Sequence, residues 1–135
     1  MFKIAIIGSK SCIDKKRSIK EFLFKVKSTY GTTATILSGG NEIGIERDVK
    51  KIALEFGLPY QEFNPSFTGR NSYSALSEDY YKKGFHPTHF QHRYDCLLGQ
   101  AERLIIGECS DAPDKKLYEN ILKKAEKKGI KTSTI

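Results

Sequence analysis

Residues 36–48 read ILSGGNEIGIERD, and this stretch decides the fold. Its first residues are apolar and predict the end of a buried strand, whereas the apolar pattern from Ile45 onward has helical spacing. Between the two, Gly39 and Gly40 allow positive φ and let a ligand come close to the backbone. The helix would point its free N–H groups and the positive end of its dipole toward this turn. The stretch therefore predicts an anion site between a strand and a helix.

Strand-like and helical segments alternate on both sides of this stretch. Apolar runs predict strands at residues 3–7, 33–37, 58–63, 103–107 and 130–135, the last of them at a sheet edge. Apolar residues at helical spacing predict helices at about residues 14–30, 45–56, 87–101 and 113–128. This order predicts an α/β fold with a parallel five-stranded sheet and helices on both faces. With 135 residues, the chain is predicted to be a single domain.

Three short polar loops, each containing glycine, follow predicted strands. They are residues 8–11, 38–44 and 107–111. Because the carboxyl ends of parallel strands lie at the same edge of a sheet, and ligands bind there near the switch point, we expect the loops to converge on one cleft. In this interpretation Gly8 and Ser9 line the wall opposite the 38–44 turn.

The composition limits the classes of protein to which the chain can belong. Charged residues make up 29% and hydrophobic residues 39%, as in globular rather than disordered chains. No apolar run approaches the roughly 20 residues that cross a bilayer, and the opening MFKIAIIG is too short for a signal peptide. The formal charge of +7 permits an anionic partner. The basic clusters at residues 15–20 and 123–128 fall on predicted helix faces, which favours solvated faces over a DNA-binding stripe.

Cysteine usage predicts a reducing compartment, and we expect a cytoplasmic protein. Cys12, Cys96 and Cys109 are odd in number, widely spaced and without a Cys-x-x-Cys pair, which disfavours a disulfide framework or a zinc ribbon. Cys12 and Cys109 flank the predicted cleft, but no residue can be assigned as the base that a nucleophilic cysteine needs.

Neither standard phosphate motif is present. Ile45 and Glu46 follow Gly44, where the P-loop pattern G-x-x-x-x-G-K-[ST] has lysine and a hydroxyl residue, so NTP hydrolysis is disfavoured. A Gly-Gly turn alone fits either ligand contact or tight packing. Glu46 likewise fits contact with a ribose hydroxyl, N-glycosidic bond cleavage, or stabilisation of its own helix N-terminus. No second carboxylate can be assigned as its acid/base partner.

Several short motifs resemble the SLOG superfamily of Rossmann-like domains. They are ILSGG at 36–40, GIE at 44–46, ALEFGLP at 53–59, the opening strand that ends in Gly8 and Ser9, AERLII at 101–106, and Arg93 in the helix before the fourth strand. The superfamily includes the DNA-processing protein DprA, the YspA/YpsA group and the LOG phosphoribohydrolases. The second glycine-rich motif of the LOG enzymes, Pro-Gly-Gly-x-Gly-Thr, is missing from residues 107–113, which read GECSDAP.

The resemblance implies a nucleotide-derived ligand, such as an ADP-ribose-like, NAD-related or signalling nucleotide. The expected roles are phosphate contact by the backbone N–H groups of Gly39, Gly40 and Asn41, ribose contact by Glu46, and charge compensation by Arg93. Ser38 and Gly44 mark the two ends of the turn. The resemblance leaves two alternatives, an N-glycosidic hydrolase that uses Glu46 and a DprA-like module that binds single-stranded nucleic acid. A homo-oligomer is expected, and no membrane partner, metal or cofactor is predicted.

The segment between residues 64 and 85 breaks the alternating pattern, because it is polar but rich in aromatic residues. A short helix is predicted at residues 77–82. Arg70 and Asn71 could form a lid with the loop tyrosines, in which Tyr73 or Tyr81 stacks on a base, or these rings could anchor the loop or an oligomer contact. His86, His89 and His92 recur every third residue, so the outer two diverge on a helix and form a poor metal site. His92 could instead reach the phosphate end of the cleft.

Overall fold

The computed structural model describes residues 2–66, 68–81, 84, 86, 88–109 and 111–135. The strands are β1 (Phe2–Gly8), β2 (Ala34–Ser38), β3 (Tyr60–Glu62), β4 (Arg103–Gly107) and β5 (Lys131–Thr134). The helices are α1 (Lys16–Tyr30), α2 (Ile45–Glu55), α3 (Thr88–Leu98) and α4 (Lys115–Lys127), with a 3₁₀ turn at Glu78–Tyr80. The predicted alternation of strands and helices is confirmed. None of the described helices has the length and apolarity that a membrane span requires.

The described strands form one parallel five-stranded sheet in the order β3-β2-β1-β4-β5. The predicted α/β fold is therefore confirmed, including the edge position of β5. Chain order reverses beside β1, because β2 pairs with one side of it and β4 with the other. Gly8 lies opposite Gly107 in the register, so β1 and β4 end at the same level.

The central strand β1 is buried on both faces, which explains its unbroken apolar run. Ile4 and Ile6 belong to the core beneath α1 and α2, whereas Ala5 and Ile7 belong to the core beneath α3 and α4. Each helix covers the sheet with the apolar stripe that its spacing predicted, for example Val49, Ile52 and Ala53 on α2. The helices thus lie on both faces, as expected.

Several elements are shorter than predicted, and for two of them the sequence gives the reason. β3 begins at Tyr60 because Pro59 has no N–H group to donate to the ladder. α3 ends at Leu98 rather than at residue 101, because Gly99, a poor helix former, follows. Pro87, the predicted start of that helix, is outside the described residues.

The segment after β3 covers the outer edge of the sheet. The N–H of Glu62 donates to the carbonyl oxygen of Tyr73 at 2.9 Å, and the N–H of Ala75 donates to the carbonyl oxygen of Glu62 at 2.8 Å. This bridge occupies backbone groups that an edge strand would otherwise present to solvent. The 3₁₀ turn at Glu78–Tyr80 lies within the predicted short helix, of which Lys82 is outside the described residues.

Candidate functional site

The loops after β1 and β2 meet at the carboxyl edge of the sheet. The N–H of Ile45 donates to the carbonyl oxygen of Ser9 at 3.2 Å. Gly44 packs so tightly against this loop that a Cβ added to it would lie 2.5 Å from the Cα of Lys10. Ser9 Oγ also donates to Asp114 Oδ1, 2.5 Å away at the start of α4. Backbone contacts therefore fix the first two loops against each other, and a side-chain hydrogen bond joins them to the start of α4.

The two glycines of the turn have different functions in the fold. Gly40 has φ 77°, a conformation that favours glycine, and a Cβ there would lie 2.6 Å from Asn64 Nδ2. Gly39 has no positive φ, so the expectation of positive φ at both positions is wrong. Its missing side chain makes room for Glu46 instead, since a Cβ would lie 2.6 Å from each carboxylate oxygen.

Glu46 is fully buried beneath the turn, with 0% of its surface exposed. Oε1 accepts a hydrogen bond from the N–H of Asn41 at 3.1 Å, and Oε2 accepts one from the hydroxyl of Tyr94 at 2.8 Å. The backbone N–H of Gly8 is also bonded to this carboxylate. The side chain therefore faces the interior rather than a ligand space, and it places a negative charge at the N-terminus of its own helix.

Arg93 holds the turn from the other side and is only 3% exposed. Its guanidinium donates to the carbonyl oxygen of Gly39 at 2.7 Å, to Asn41 Oδ1 at 3.0 Å and to the hydroxyl of Tyr94 at 3.2 Å. Arg93 Nε has no hydrogen-bond partner among the described residues. Together, Asn41, Glu46, Arg93 and Tyr94 form what we call the turn network, in which a buried carboxylate and a buried guanidinium are connected through Asn41 and Tyr94.

Burial raises the pKa of Glu46, and the charge of Arg93 and the hydrogen bonds from Tyr94, Asn41 and Gly8 offset only part of this effect. An acid with a raised pKa in the folded state binds more protons there than in the unfolded chain. The free energy of unfolding therefore falls as pH rises above the ordinary value of 4.5.

Glu46→Gln is expected to remove this pH dependence, because glutamine keeps an acceptor for Asn41 but does not ionise. The stability of the variant relative to the wild type should increase as pH rises from about 4.5 toward neutrality. Urea unfolding at a series of pH values measures this difference. A difference that stays constant over the range would contradict a raised pKa at Glu46.

An open cleft of about 430 Å³ lies directly above the turn network, and we call it the turn cleft. Its walls are the turn itself, the start of the loop after β3, and α3. It is lined by Lys10, Gly40, Asn41, Glu42, Ile43, Asn64, Pro65, Thr68, Gly69, Asn71, Phe90 and Arg93. This volume lies within the range of small-molecule sites. The lining contains three amide side chains, one hydroxyl group, two basic side chains and one carboxylate.

The structure separates the predicted site residues into two groups. Gly40, Asn41 and Arg93 line the turn cleft. Gly8 does not, because the side chain of Ile45 covers it, and a Cβ at Gly8 would lie 2.5 Å from Ile45 Cδ1. Ser9 lines a separate cavity of about 100 Å³ near α4. The expected opposite wall is therefore formed by Lys10 and the loop after β3.

The remaining turn residues have structural contacts. Ser38 Oγ donates to the carbonyl oxygen of Ile6 at 2.8 Å and joins β2 to β1. Gly44 packs against the loop after β1, and Gly39 packs over Glu46. The N–H of Ile45 donates to Ser9, and the N–H of Asn41 donates to Glu46. These two donors, which were expected to face an anion, are thus engaged within the protein.

The far wall of the turn cleft, which includes Asn64 and Asn71, is supported from behind by Glu62 and Ser74, which the sequence did not single out. Glu62 is buried and accepts hydrogen bonds from Lys50 Nζ at 3.1 Å, Tyr60 at 3.1 Å and Asn71 Nδ2 at 2.6 Å. Asn64 Oδ1 accepts a hydrogen bond from the hydroxyl of Ser74 at 2.8 Å. An acidic residue at the carboxyl end of a short strand was the available signal, but the loop that supplies its partners lacks periodicity.

The tyrosines of this loop anchor it to the protein. Tyr73 packs edge-on against Tyr60 with ring centroids 5.9 Å apart, and Lys50 Nζ lies 5.0 Å from the Tyr73 ring. Tyr81 is buried against Tyr80. Neither Tyr73 nor Tyr81 lines the turn cleft. Of the two interpretations of these rings, anchoring of the loop matches the geometry.

The histidines do not converge. His86 Nδ1 lies 2.8 Å from Thr88 Oγ1, whereas His92 stacks on Tyr80 and lies 3.7 Å from Cys96 Sγ. The rings of His86 and His89 have centroids 6.0 Å apart. The spacing of the three histidines in the sequence disfavours a metal site formed by all of them. In the structure, the side chains of His86 and His92 have different neighbours.

Comparisons with known proteins connect this fold to solved structures. No protein-family model and no curated protein sequence matches the chain. A structure of DNA processing protein A from Streptococcus pneumoniae matches with a TM-score of 0.72 and 19% identity, over 99% of this chain and 50% of that one. DNA processing protein A from Helicobacter pylori, described for its single-stranded DNA binding mode, matches with a TM-score of 0.65 and 18% identity, over 98% and 64%.

A third structure is a molybdenum cofactor carrier protein from Chlamydomonas reinhardtii. It matches with a TM-score of 0.55 and 15% identity, over 100% of this chain and 90% of that one. The chain thus spans about half to two thirds of the DNA processing proteins and most of the carrier protein. At sequence identities of 15–19%, the structural similarity establishes the fold alone. The chain has the Rossmann-like α/β fold that DNA processing protein A also has, which is the fold that the resemblance to the SLOG superfamily implied.

Proposed function

We propose that the protein binds a nucleotide or a nucleotide-derived ligand in the turn cleft. The observation that carries the proposal is Arg93, a guanidinium that is 97% buried, lines the cleft and leaves Nε without a partner among the described residues. Burying a charged group without satisfying its hydrogen-bonding capacity is costly, so this guanidinium, with its buried and unpaired Nε, favours negative charge in the adjoining cleft. An anionic ligand supplies such a charge.

The lining supports a nucleotide more than a simple anion. Lys10 and Arg93 both line the cleft and offer positive charge there, and the backbone of Gly40 lies in the same lining. Phe90, 37% exposed on α3, provides an apolar surface for a base. Asn64 and Asn71 provide amide groups that can form directional hydrogen bonds with a base or sugar. Phosphate is thus proposed near Lys10 and Gly40, with the base toward α3.

The position in the fold agrees with this proposal. The turn cleft lies outside the carboxyl ends of the strands, where open α/β sheets bind ligands. The resemblance to SLOG domains implies an ADP-ribose-like, NAD-related or signalling nucleotide, and the carrier protein of similar fold is described by its molybdenum cofactor. The lining does not select among these nucleotides.

Reversing the charge of Lys10 is expected to weaken nucleotide binding by at least about tenfold, because it places a carboxylate beside the proposed phosphate. Isothermal titration with AMP, ADP-ribose and NAD⁺ measures the affinity of the wild type and of Lys10→Glu. The matched control is Lys123→Glu, which makes the same charge change at an exposed position on α4. Phe90→Ala should weaken binding of the nucleotides but not of inorganic phosphate.

Two outcomes count against the proposal. One is that none of the three nucleotides binds the wild type with a Kd below about 1 mM. The other is an equal loss of affinity in Lys10→Glu and Lys123→Glu, which would indicate a general effect of net charge.

Binding of single-stranded DNA is a second candidate for the same surface. The Helicobacter pylori protein of similar fold is described as binding single-stranded DNA, and this chain has a formal charge of +7. The salt dependence of an oligo-dT titration distinguishes the candidates, since each phosphate that is neutralised steepens the slope of log K against log salt. A mononucleotide that binds as tightly as the oligonucleotide favours the first candidate.

The N-glycosidic hydrolase alternative stays a prediction. Glu46 would have to leave Asn41 and Tyr94 to reach a ligand, because both carboxylate oxygens are engaged beneath the turn. We therefore assign Glu46 to the support of the turn. The homo-oligomer and the cytoplasmic location also stay predictions.

A further inference from the structure

A second cluster of chemically reactive groups lies on the opposite side of the loop after β1. The Sγ atoms of Cys12 and Cys109 and a carboxylate oxygen of Asp14 all lie within 4.8 Å of one another. We call these three residues the cysteine cluster. Cys12 Sγ is 3.3 Å from Asp14 Oδ1, and the thiol of Cys109 is within hydrogen-bonding reach of Cys12.

The topology of the sheet creates this cluster from residues at opposite ends of the sequence. β1 and β4 are neighbours and end at the same level, so the loops that follow them lie side by side. The N–H of Cys12 donates to the carbonyl oxygen of Ser9 at 3.3 Å, and the N–H of Ala112 donates to the carbonyl oxygen of Cys109 at 3.2 Å. Both cysteines are thus held in short backbone turns at the switch point.

We propose that Cys12, Asp14 and Cys109 bind a thiophilic divalent cation of the Zn²⁺ type, with water as the fourth ligand. Two sulfur ligands and one carboxylate suit Zn²⁺, and three protein ligands with one open position form a recognised class of zinc site. In tetrahedral geometry with Zn–S bonds of about 2.3 Å, the two sulfurs lie about 3.8 Å apart. The three ligand atoms lie within 4.8 Å of one another, so the sulfurs are at most about 1 Å farther apart than this geometry requires.

The burial of the three residues matches a site with one open side. Cys12 is 1% exposed and belongs to the core under α1 and α2. The packing of this core holds its sulfur in place as one metal ligand. Cys109 is half-buried and Asp14 is exposed, so a cation can enter from solvent between them. The sequence predicted no metal because the cysteines show no ligand spacing, and only the pairing of β1 with β4 brings them together.

The cation would join the loop after β1 to the loop after β4. Lys10 lies two residues before Cys12 and lines the turn cleft, so metal binding would fix the segment that carries this lysine. The inference does not depend on the proposed nucleotide, because its evidence and its test concern the cysteine cluster alone.

Reduced, chelator-treated protein is expected to take up one Zn²⁺ per chain, measured by native mass spectrometry, and to melt at a higher temperature with Zn²⁺ bound. Replacing Zn²⁺ with Co²⁺ should give a thiolate-to-metal charge-transfer band. Cys109→Ser and Asp14→Asn are expected to weaken Zn²⁺ binding by at least about tenfold, and Cys109→Ser should weaken the Co²⁺ band. The matched control, Cys96→Ser, should bind like the wild type. Circular dichroism confirms that each variant is folded.

The proposal is overturned if the reduced wild type takes up no Zn²⁺, or if Cys96→Ser weakens uptake as much as Cys109→Ser. Peptide mapping without reductant tests the competing chemistry. A Cys12–Cys109 disulfide in a protein that binds no Zn²⁺ when reduced would identify the cluster as a redox pair instead.

Discussion

Replacing Gly44 with alanine is expected to lower the free energy of unfolding by about 4 kcal/mol, because two costs add at this position. Gly44 has φ 77° and ψ −149°, a combination that is essentially restricted to glycine. A Cβ would also lie 2.5 Å from the Cα of Lys10 and from the carbonyl oxygen of Ser9. Both contacts are backbone atoms, which cannot rotate away as a side chain can. Urea unfolding followed by circular dichroism measures the loss.

Gly31 provides a matched control for the backbone cost. It has φ 60° and ψ −125°, near the values of Gly44, but nothing lies within 4 Å of the position that its Cβ would take. Gly31→Ala is therefore expected to cost only about 2 kcal/mol. Similar losses in the two variants would show that the contact between Gly44 and the loop after β1 does not constrain the fold.

The same substitution also tests how the turn cleft is built. Lys10 and Gly40 stand on different loops, and the contact between Gly44 and the first loop sets the distance between them. If Gly44→Ala remains folded, its two loops must separate. Nucleotide affinity should then fall even though no residue that lines the cleft has changed.

The sheet and its helices could be predicted because their signals are local. Residues 3–7 are apolar on both faces, which indicates a central strand without any knowledge of its neighbours. The helical stripe after Ile45 indicates one buried face in the same way. Given these elements, the short connections and the rule of right-handed crossovers leave few arrangements, and the observed sheet is one of them.

The position of Glu46 could not be predicted, because its partners come from another helix. Tyr94 and Arg93 reach the turn from α3, on the far side of the sheet from α2. Glycine at position 39 indicated a close approach, but it could not indicate whether a ligand or a side chain approaches. In the structure, the carboxylate of Glu46 is the group that comes close.

The cysteine cluster could not be predicted from the sequence either, because its residues come from different loops. Cys12 and Cys109 are separated by most of the sequence, and neither lies in a motif that predicts metal binding. Their proximity depends on the order β2-β1-β4, which the sequence restricts only through the whole pattern of elements. The loop after β3 was also beyond prediction, since Asn64 and Asn71 are ordered by hydrogen bonds to Ser74 and Glu62 rather than by periodicity.

Replacing Arg93 with methionine is expected to lower the free energy of unfolding by about 4 kcal/mol. Methionine keeps much of the volume but removes the hydrogen bonds to Gly39, Asn41 and Tyr94. It also removes the positive charge that partly offsets the burial of Glu46. The carboxylate would then be buried without a positive charge nearby, which is costly.

A matched control uses Arg47, a neighbour of Glu46 in sequence whose side chain is 52% exposed. Arg47→Met makes the same chemical change at the surface and is expected to alter stability by less than about 0.5 kcal/mol. The comparison separates the loss of a buried guanidinium from a general effect of removing a positive charge.

The double variant Arg93→Met with Glu46→Gln tests whether the two residues stabilise the turn as a pair. If the cost of Arg93→Met arises mainly from an uncompensated carboxylate, neutralising Glu46 should recover about 1–2 kcal/mol. The recovery should grow as pH rises above the ordinary glutamate value of 4.5, because the pKa of Glu46 is raised further when Arg93 is absent. Additive losses at every pH would show that Arg93 acts through its hydrogen bonds to the turn alone. In that case the positive charge at the wall of the turn cleft is held independently of Glu46 and is available to a ligand.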